Sequence, residues 1–280
     1  MKIFQLKDGY RYNSDSLFLW DFARKNCSFK ASQSLLDVGC GCGILGLLLA
    51  RDFNCALSCI DIQPQNCELA QINARANDIK ASIICADFFK DWESGNSAGN
   101  SVGNFKENSV GNSAGNSKEN SAGNSAGNFG IPSQSGQRNQ IFERIICNPP
   151  FYDFGGENKN AHKNTSRNAS SFDISAFASK CSKLLAPKGE LVLCYDARLV
   201  DRLLQALLEA GLKPIKLAFL HSKPSKPANV VLVVAKKGAK SPLCVFGSLF
   251  ACNESGTHSD FAKEVFIKAD LISVDLQALI

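Results

Sequence analysis

Leu35-Leu36-Asp37-Val38-Gly39-Cys40-Gly41-Cys42-Gly43, running on into the apolar stretch Ile44 to Ala50, decides the fold. A short apolar strand is followed by three glycines at alternate positions and then by a helix. That order opens an α/β sheet, and the missing side chains let the backbone approach a ligand closely at the crevice beyond the strand ends.

The spacing narrows the ligand. Dinucleotide sites use Gly-x-Gly-x-x-Gly and seat a pyrophosphate on the helix N-terminus, whereas this turn reads Asp-x-Gly-x-Gly-x-Gly. An acid two residues before the first glycine repels phosphate and attracts an ammonium. S-adenosylmethionine, with an amino acid amine and a sulfonium centre, fits that demand, and Asp37, Gly39, Gly41 and Gly43 are its candidate contacts. The next strand, Cys55 to Ile60, ends in Asp61, placed to accept ribose hydroxyls, with Ile62 behind it. A third strand, Ala81 to Cys85, leads to Asp87, positioned for an adenine amino group, and to Phe88, positioned to flank the ring. Singly, each acid is equally at home in an ordinary turn after a strand.

Asn148-Pro149-Pro150-Phe151 follows the apolar run Ile141 to Cys147. Pro150 has no N–H and the chain must turn, so the strand tip presents the Asn148 amide and the Pro149 carbonyl as acceptors for an amino group. Phe151 offers a flat face to an aromatic ring. Asp37, Asp61, Asp87 and Asn148 thus end four strands along one sheet edge.

These residues resemble those of class I S-adenosylmethionine-dependent methyltransferases, and among them the amino-methyltransferases with an Asn/Asp-Pro-Pro-aromatic motif. Tyr10 to Leu19, following Gly9, and His221-Ser222-Lys223-Pro224-Ser225-Lys226-Pro227-Ala228 look like the bacterial tRNA-Val adenosine-37 N6-methyltransferase family. The resemblance implies methyl transfer to N6 of an adenosine in tRNA. Phe151 departs from the Tyr of many adenine-N6 enzymes and is shared with some guanine-N2 methyltransferases. A guanine-N2 rRNA enzyme therefore stays open, as does a non-catalytic RNA-binding protein with a relic fold. Protein-glutamine methyltransferases carry a helical substrate domain before the glycine turn, and the 33 residues ahead of Ser34 leave no room for one.

Within Tyr10 to Leu19, Arg11 and Asp15 are candidate polar contacts to the methionine end of the cofactor. Capping of a helix by Asn13, Ser14 or Asp15 is an equal reading.

Charge points to the substrate. Residues 1–93 carry ten Lys/Arg against eleven Asp/Glu, and residues 155–240 carry fifteen against six, so the positive excess lies in the second half, as suits nucleic acid. Lys159, Lys163 and Arg167, just past the tetrapeptide, and Lys223 and Lys226 are candidate phosphate contacts, with a solvated basic surface as the alternative. The partner expected is RNA, foremost tRNA.

Outside a tetrapeptide repeat of the Gly-Asn-Ser-Ala type, about 235 residues remain, enough for one catalytic domain. The repeat, 94–138, has almost nothing apolar to bury and reads as a disordered insertion between the third and fourth strands. Of twelve cysteines, none has the spacing of a metal site, so free thiols in a reducing compartment are expected. No apolar run approaches a membrane span and the charged N-terminus does not read as a signal peptide, which predicts a cytoplasmic protein with no metal, expected to be a monomer.

Later helices are expected over Ser171 to Leu185, stopped by Pro187-Lys188-Gly189, over Ala197 to Ala210, and around Phe261 to Lys268. Strands Glu190 to Tyr195, Lys213 to Leu220 and Asn229 to Ala235 complete a Rossmann-like, seven-stranded, mostly parallel sheet with helices on both faces and a C-terminal antiparallel hairpin.

Overall fold

The computed structural model describes residues 1–7, 11–90, 141–149 and 172–277. Strands β1 (Lys2–Leu6), β2 (Ser34–Val38), β3 (Ala56–Asp61), β4 (Ala81–Cys85) and β5 (Phe142–Cys147) alternate with helices α1 (Ser14–Asn26), α2 (Ile44–Phe53) and α3 (Pro64–Ala76). After them come α4 (Ile174–Leu184), β6 (Leu185–Asp196), α5 (Val200–Glu209), β7 (Leu212–His221), β8 (Ala228–Lys237), β9 (Cys244–Val245), β10 (Leu249–Phe250), α6 (Asp260–Ala269) and β11 (Ile272–Leu276). The repeat at 94–138 lies outside the described residues.

Adjacent strands run in the order β10-β7-β8-β6-β5-β2-β3-β4. β4, β3, β2, β5 and β6 are parallel, and β8 runs antiparallel between β6 and β7. The expected α/β sheet and its closing hairpin are present, but the main sheet has nine strands rather than seven. The two extra are β9 and β10, two-residue segments laid in succession along the outer edge of β7. They are too short to show any hydrophobic period.

Chain order moves outward from β2 through β3 to β4, then returns to β5 on the other side of β2. Right-handed crossovers in opposite directions put α2 and α3 on one face and α4 on the other. The place where the direction reverses, between β2 and β5, is where open sheets bind ligands, beyond the carboxyl ends of the strands. α1 packs against α2, and α4 against α5, as two separate helix layers. The strands between them are covered on both sides, which is why Leu35-Leu36, Ile145-Ile146 and Val230 to Ala235 read as unbroken apolar runs.

Local chemistry sets the helix ends. Asp173 caps α4 by accepting the Ser175 and Ala176 amides at 2.9 and 3.0 Å, and Ser259 caps α6 through the Ala262 amide at 3.0 Å. α4 ends at Leu184, ahead of the proline, and Pro187-Lys188-Gly189 lies within β6, where Lys188 takes a positive φ of 63°.

A second, two-stranded parallel sheet joins β1 to β11, Lys2 opposite Ile272 and Leu6 opposite Leu276. The other edge of β1 meets α3. Asn73 accepts the Phe4 amide at 2.7 Å and donates to the Phe4 carbonyl at 3.1 Å, and Asn77, one turn on, does the same for Lys2 at 2.9 and 2.7 Å. Two side-chain amides thereby imitate a neighbouring strand. α6 packs its Phe261 and Phe266 rings on Phe18 of α1, with centroids 5.4 and 5.8 Å apart. Among the described residues no helix is long and apolar enough to cross a membrane.

Candidate active site

The carboxyl ends of β4, β3, β2 and β5 carry, in spatial order, Asp87, Asp61, Asp37 and Asn148. At the reversal point, Asp37, Gly39, Gly41 and Asn148 line one narrow cleft, and Tyr12 and Ser16 reach it from the N-terminal side. The strand order β2-β5 puts the glycine turn beside the Asn148 strand tip, since Val38 pairs with Cys147.

The turn is left-handed at each glycine, with φ of 67° at Gly39, 55° at Gly41 and 82° at Gly43, a region that a side chain disfavours. A Cβ on Gly39 meets nothing within 4 Å, so the bare backbone there faces open space, as a ligand cradle requires. Two carboxylates hold the turn. Asp37 Oδ2 accepts the Gly46 amide at 2.8 Å, and Asp61 Oδ2 accepts the Gly41 amide at 2.9 Å while its Oδ1 accepts from the Gln63 amide and the Asn66 side chain. Burial lifts the Asp37 carboxyl to about 7 from 3.8; the Gly46 N–H opposes this and the nearby Asp61 charge adds to it. A cation in the cleft would find a carboxyl poised to ionise. Those acceptors suit the amine of S-adenosylmethionine better than a phosphate.

Asn148 is anchored on both sides. Its Nδ2 donates to Ser16 Oγ at 2.9 Å, and its Oδ1 accepts from the Cys194 thiol at 2.9 Å. Pro149 is buried behind it. Pro150 and Phe151 lie outside the described residues, as do Lys159, Lys163 and Arg167.

Other candidates fall elsewhere. Asp87 stands beyond β4, bonded to the Phe89 amide at 2.8 Å, and Ile62 is 55% exposed at the same edge as Asp61. Phe88 is buried, tilted against Phe177 at 5.7 Å with the Lys180 ammonium 5.3 Å over its ring. Asn13 caps α1 and its Nδ2 donates to the buried Asp15 at 2.9 Å. Arg11 points to the C-terminal strand, where it pairs with Asp275 at 2.8 Å, and the neighbouring Tyr12 hydroxyl meets Ser273 Oγ at 2.8 Å. Lys223 and Lys226 sit in the turn between β7 and β8. Because Val230 of β8 lies opposite Asp196, that turn is at the carboxyl edge, the same edge as Asn148.

Tyr12, Ser16 and Cys194 are the site residues that sequence reading missed. Ser16 is 132 residues from Asn148 in the chain, and Cys194 reads as one more apolar strand residue. All twelve cysteines are free thiols, nine of them buried. Burial pushes Cys42 up to about 12, and a hydrogen bond with Cys59 together with burial raises Cys40 well above its ordinary value, so neither loop thiol is a nucleophile. Among the described residues no three His, Cys, Asp or Glu side chains gather as a metal-binding group.

Residues 15–98 match the family model of the methyltransferase small domain. A tRNA1(Val) (adenine(37)-N6)-methyltransferase of Shewanella baltica is 25% identical over 226 residues, covering 81% of this chain and 77% of the relative. A protein of the same description from Porphyromonas gingivalis is 24% identical over 184 residues, 65% of this chain and 57% of the relative. A solved structure described as a predicted O-methyltransferase from Agrobacterium tumefaciens superposes with a TM-score of 0.57 at 15% identity, covering 93% of this chain and 99% of that one. The match places a methyltransferase small domain at residues 15–98, and the superposition shows the fold that such a domain takes. The matched segment holds α1, the glycine turn, β3 and β4. Asn148 lies beyond that segment, on the β5 side of the same cleft.

Proposed function

We propose that this methyltransferase acts on an exocyclic amino group of a nucleobase, N6 of an adenosine in tRNA. The observation that carries the reading is the Asn148 amide, which opens onto the same cleft as the glycine turn at the reversal point of the sheet. The relatives described as tRNA adenine-N6 methyltransferases support it, as do Lys223 and Lys226 on the same edge.

S-adenosylmethionine, when bound, supplies an electrophilic methyl group on its sulfonium. Gly39 and Gly41 would let backbone approach it, Asp37 would hold its amine, and Asp61, Ile62 and Asp87 would serve the adenosine. On the acceptor side, an aromatic amine is a poor nucleophile because its lone pair spreads into the ring. Asn148 Oδ1 and the Pro149 carbonyl accept its two N–H bonds and favour a pyramidal nitrogen. Phe151 stacks on the base once it has left its neighbours, a step that is cheap for a loop nucleotide. No covalent enzyme intermediate is required, and orientation of the two reactants supplies most of the acceleration. Lys159, Lys163, Arg167, Lys223 and Lys226 hold backbone phosphates and fix the register of the RNA.

The test is incubation of the purified protein with isotopically methyl-labelled S-adenosylmethionine and tRNA from cells lacking it, followed by nucleoside mass spectrometry. Labelled N6-methyladenosine is expected. Label in N2-methylguanosine, or none in RNA, overturns the substrate.

A further inference from the structure

We infer that Ser16 and Cys194 are positioning residues that lock the Asn148 amide in the one orientation able to receive the acceptor amine, an inference that rests on the function proposed above. Asn148 follows Cys147, which sits opposite one neighbour of β6, Leu193, so the next residues, Asn148 and Cys194, stand side by side at the strand tips. From the other side, the first turn of α1 delivers Ser16, 4% exposed, onto Nδ2. The amide is held at both ends by elements that share no sequence neighbourhood.

The orientation matters because the two ends of an amide are chemically opposite. Receiving an amine N–H requires Oδ1, with its two lone pairs, and not Nδ2. With the observed arrangement, the thiol hydrogen meets the carbonyl oxygen and an amide hydrogen meets the hydroxyl oxygen, so one Oδ1 lone pair is left for the substrate. A half-turn of the amide sets Nδ2 against sulfur, which is a weak acceptor. Cys194 is fully buried, and burial raises its thiol well above the ordinary value, so the sulfur keeps the hydrogen that this bond needs.

Two readouts separate positioning from packing. The first needs no substrate. The Asn148 side-chain amide signals in a 15N-edited spectrum, identified by their loss in Asn148→Ala, are expected to shift and lose exchange protection in Ser16→Ala and in Cys194→Ala. Unchanged signals in both variants overturn the inference. The second is methyl transfer to tRNA. Cys194→Ala is expected to lower kcat about tenfold, the scale of one oriented hydrogen bond, while S-adenosylmethionine affinity stays at the wild-type value. Cys194→Ser, which keeps a donor, is expected to return kcat to within about twofold of wild type. Equal losses in Cys194→Ala and Cys194→Ser, or a Cys194→Ala variant as active as wild type, overturn it. If wild-type protein methylates no RNA, the proposed function fails, and the amide signals still decide the clamp.

Discussion

Asp37 Oδ2 accepts the Gly46 amide at 2.8 Å, so the carboxylate near the end of β2 is tied to the first turn of the helix that leaves the glycine turn. A Cβ on Gly46 would come to 2.8 Å from Leu57 Cδ1 and 3.0 Å from that same Asp37 oxygen. Alanine is the better helix former by about 1 kcal/mol, but the collision falls on a packed strand and on the bond itself. Gly46→Ala is therefore expected to be destabilising by about 1–3 kcal/mol net and to weaken cofactor binding, read by thermal melting and titration calorimetry. A melting temperature at or above wild type would show that Asp37 moves aside freely.

Asp37 also sets a pH dependence. Its carboxyl ionises near 7 in the folded chain against 3.8 ordinarily, so the fold binds this proton more tightly than the unfolded chain does. Its contribution to stability falls as pH climbs from about 4 to about 7 and is level above. Cofactor binding runs the other way. A bound ammonium favours the ionised carboxylate, so apparent affinity rises with pH up to about 7, by at most about tenfold per unit, and then flattens; the ligand amine stays protonated through this window. Asp37→Asn is expected to remove the slope, and calorimetry at pH 5, 6, 7 and 8 checks it.

Asn148→Ala is expected to cut turnover about 100-fold or more, by analogy with loss of one preorganised donor at an oxyanion site, and to leave S-adenosylmethionine affinity within about twofold. Stopped-time transfer assays and calorimetry read the two separately. Joint loss of both means that Asn148 serves the cofactor side.

Asn73 joins three parts of the protein: it holds both backbone groups of Phe4 and donates to the Cys42 carbonyl of the glycine turn at 2.9 Å. Its removal leaves buried backbone groups without partners. Asn73→Ala is expected to cost about 3 kcal/mol in urea unfolding, and Asn77→Ala, at an exposed contact, about 1 kcal/mol. Equal costs for the two would mean that burial at Asn73 is not what matters.

The parallel strands were legible because strands covered on both faces must be apolar throughout, and Asp37, Asp61 and Asn148 were legible because each sits at or near the end of such a run. β1 was not. Lys2-Ile3-Phe4-Gln5-Leu6 alternates over only five residues and begins with a charge, and its partner, β11, is at the far end of the chain. Tyr12, Ser16 and Cys194 escaped for a related reason. Tyr12 and Ser16 lie in the marked stretch Tyr10 to Leu19, but the side chains singled out there are Arg11 and Asp15; Cys194 has nothing in its own neighbourhood to mark it, and it meets Asn148 only across the β5–β6 pairing. Arg11 shows the converse: a cation beside the cofactor motif in sequence is drawn by tertiary pairing to Asp275.

The pairing of β1 with β11 has a consequence for biosynthesis. Residues 2–6 are made well before their parallel partner, residues 272–276, which follows more than 260 residues later. Asn73 and Asn77 offer the early strand an interim mate, which keeps its amides occupied while the remainder of the polypeptide is translated. The Tyr12 wall of the cleft is fastened to Ser273 only when synthesis has passed that residue, so the cleft gains this tie after every strand of the main sheet has been made.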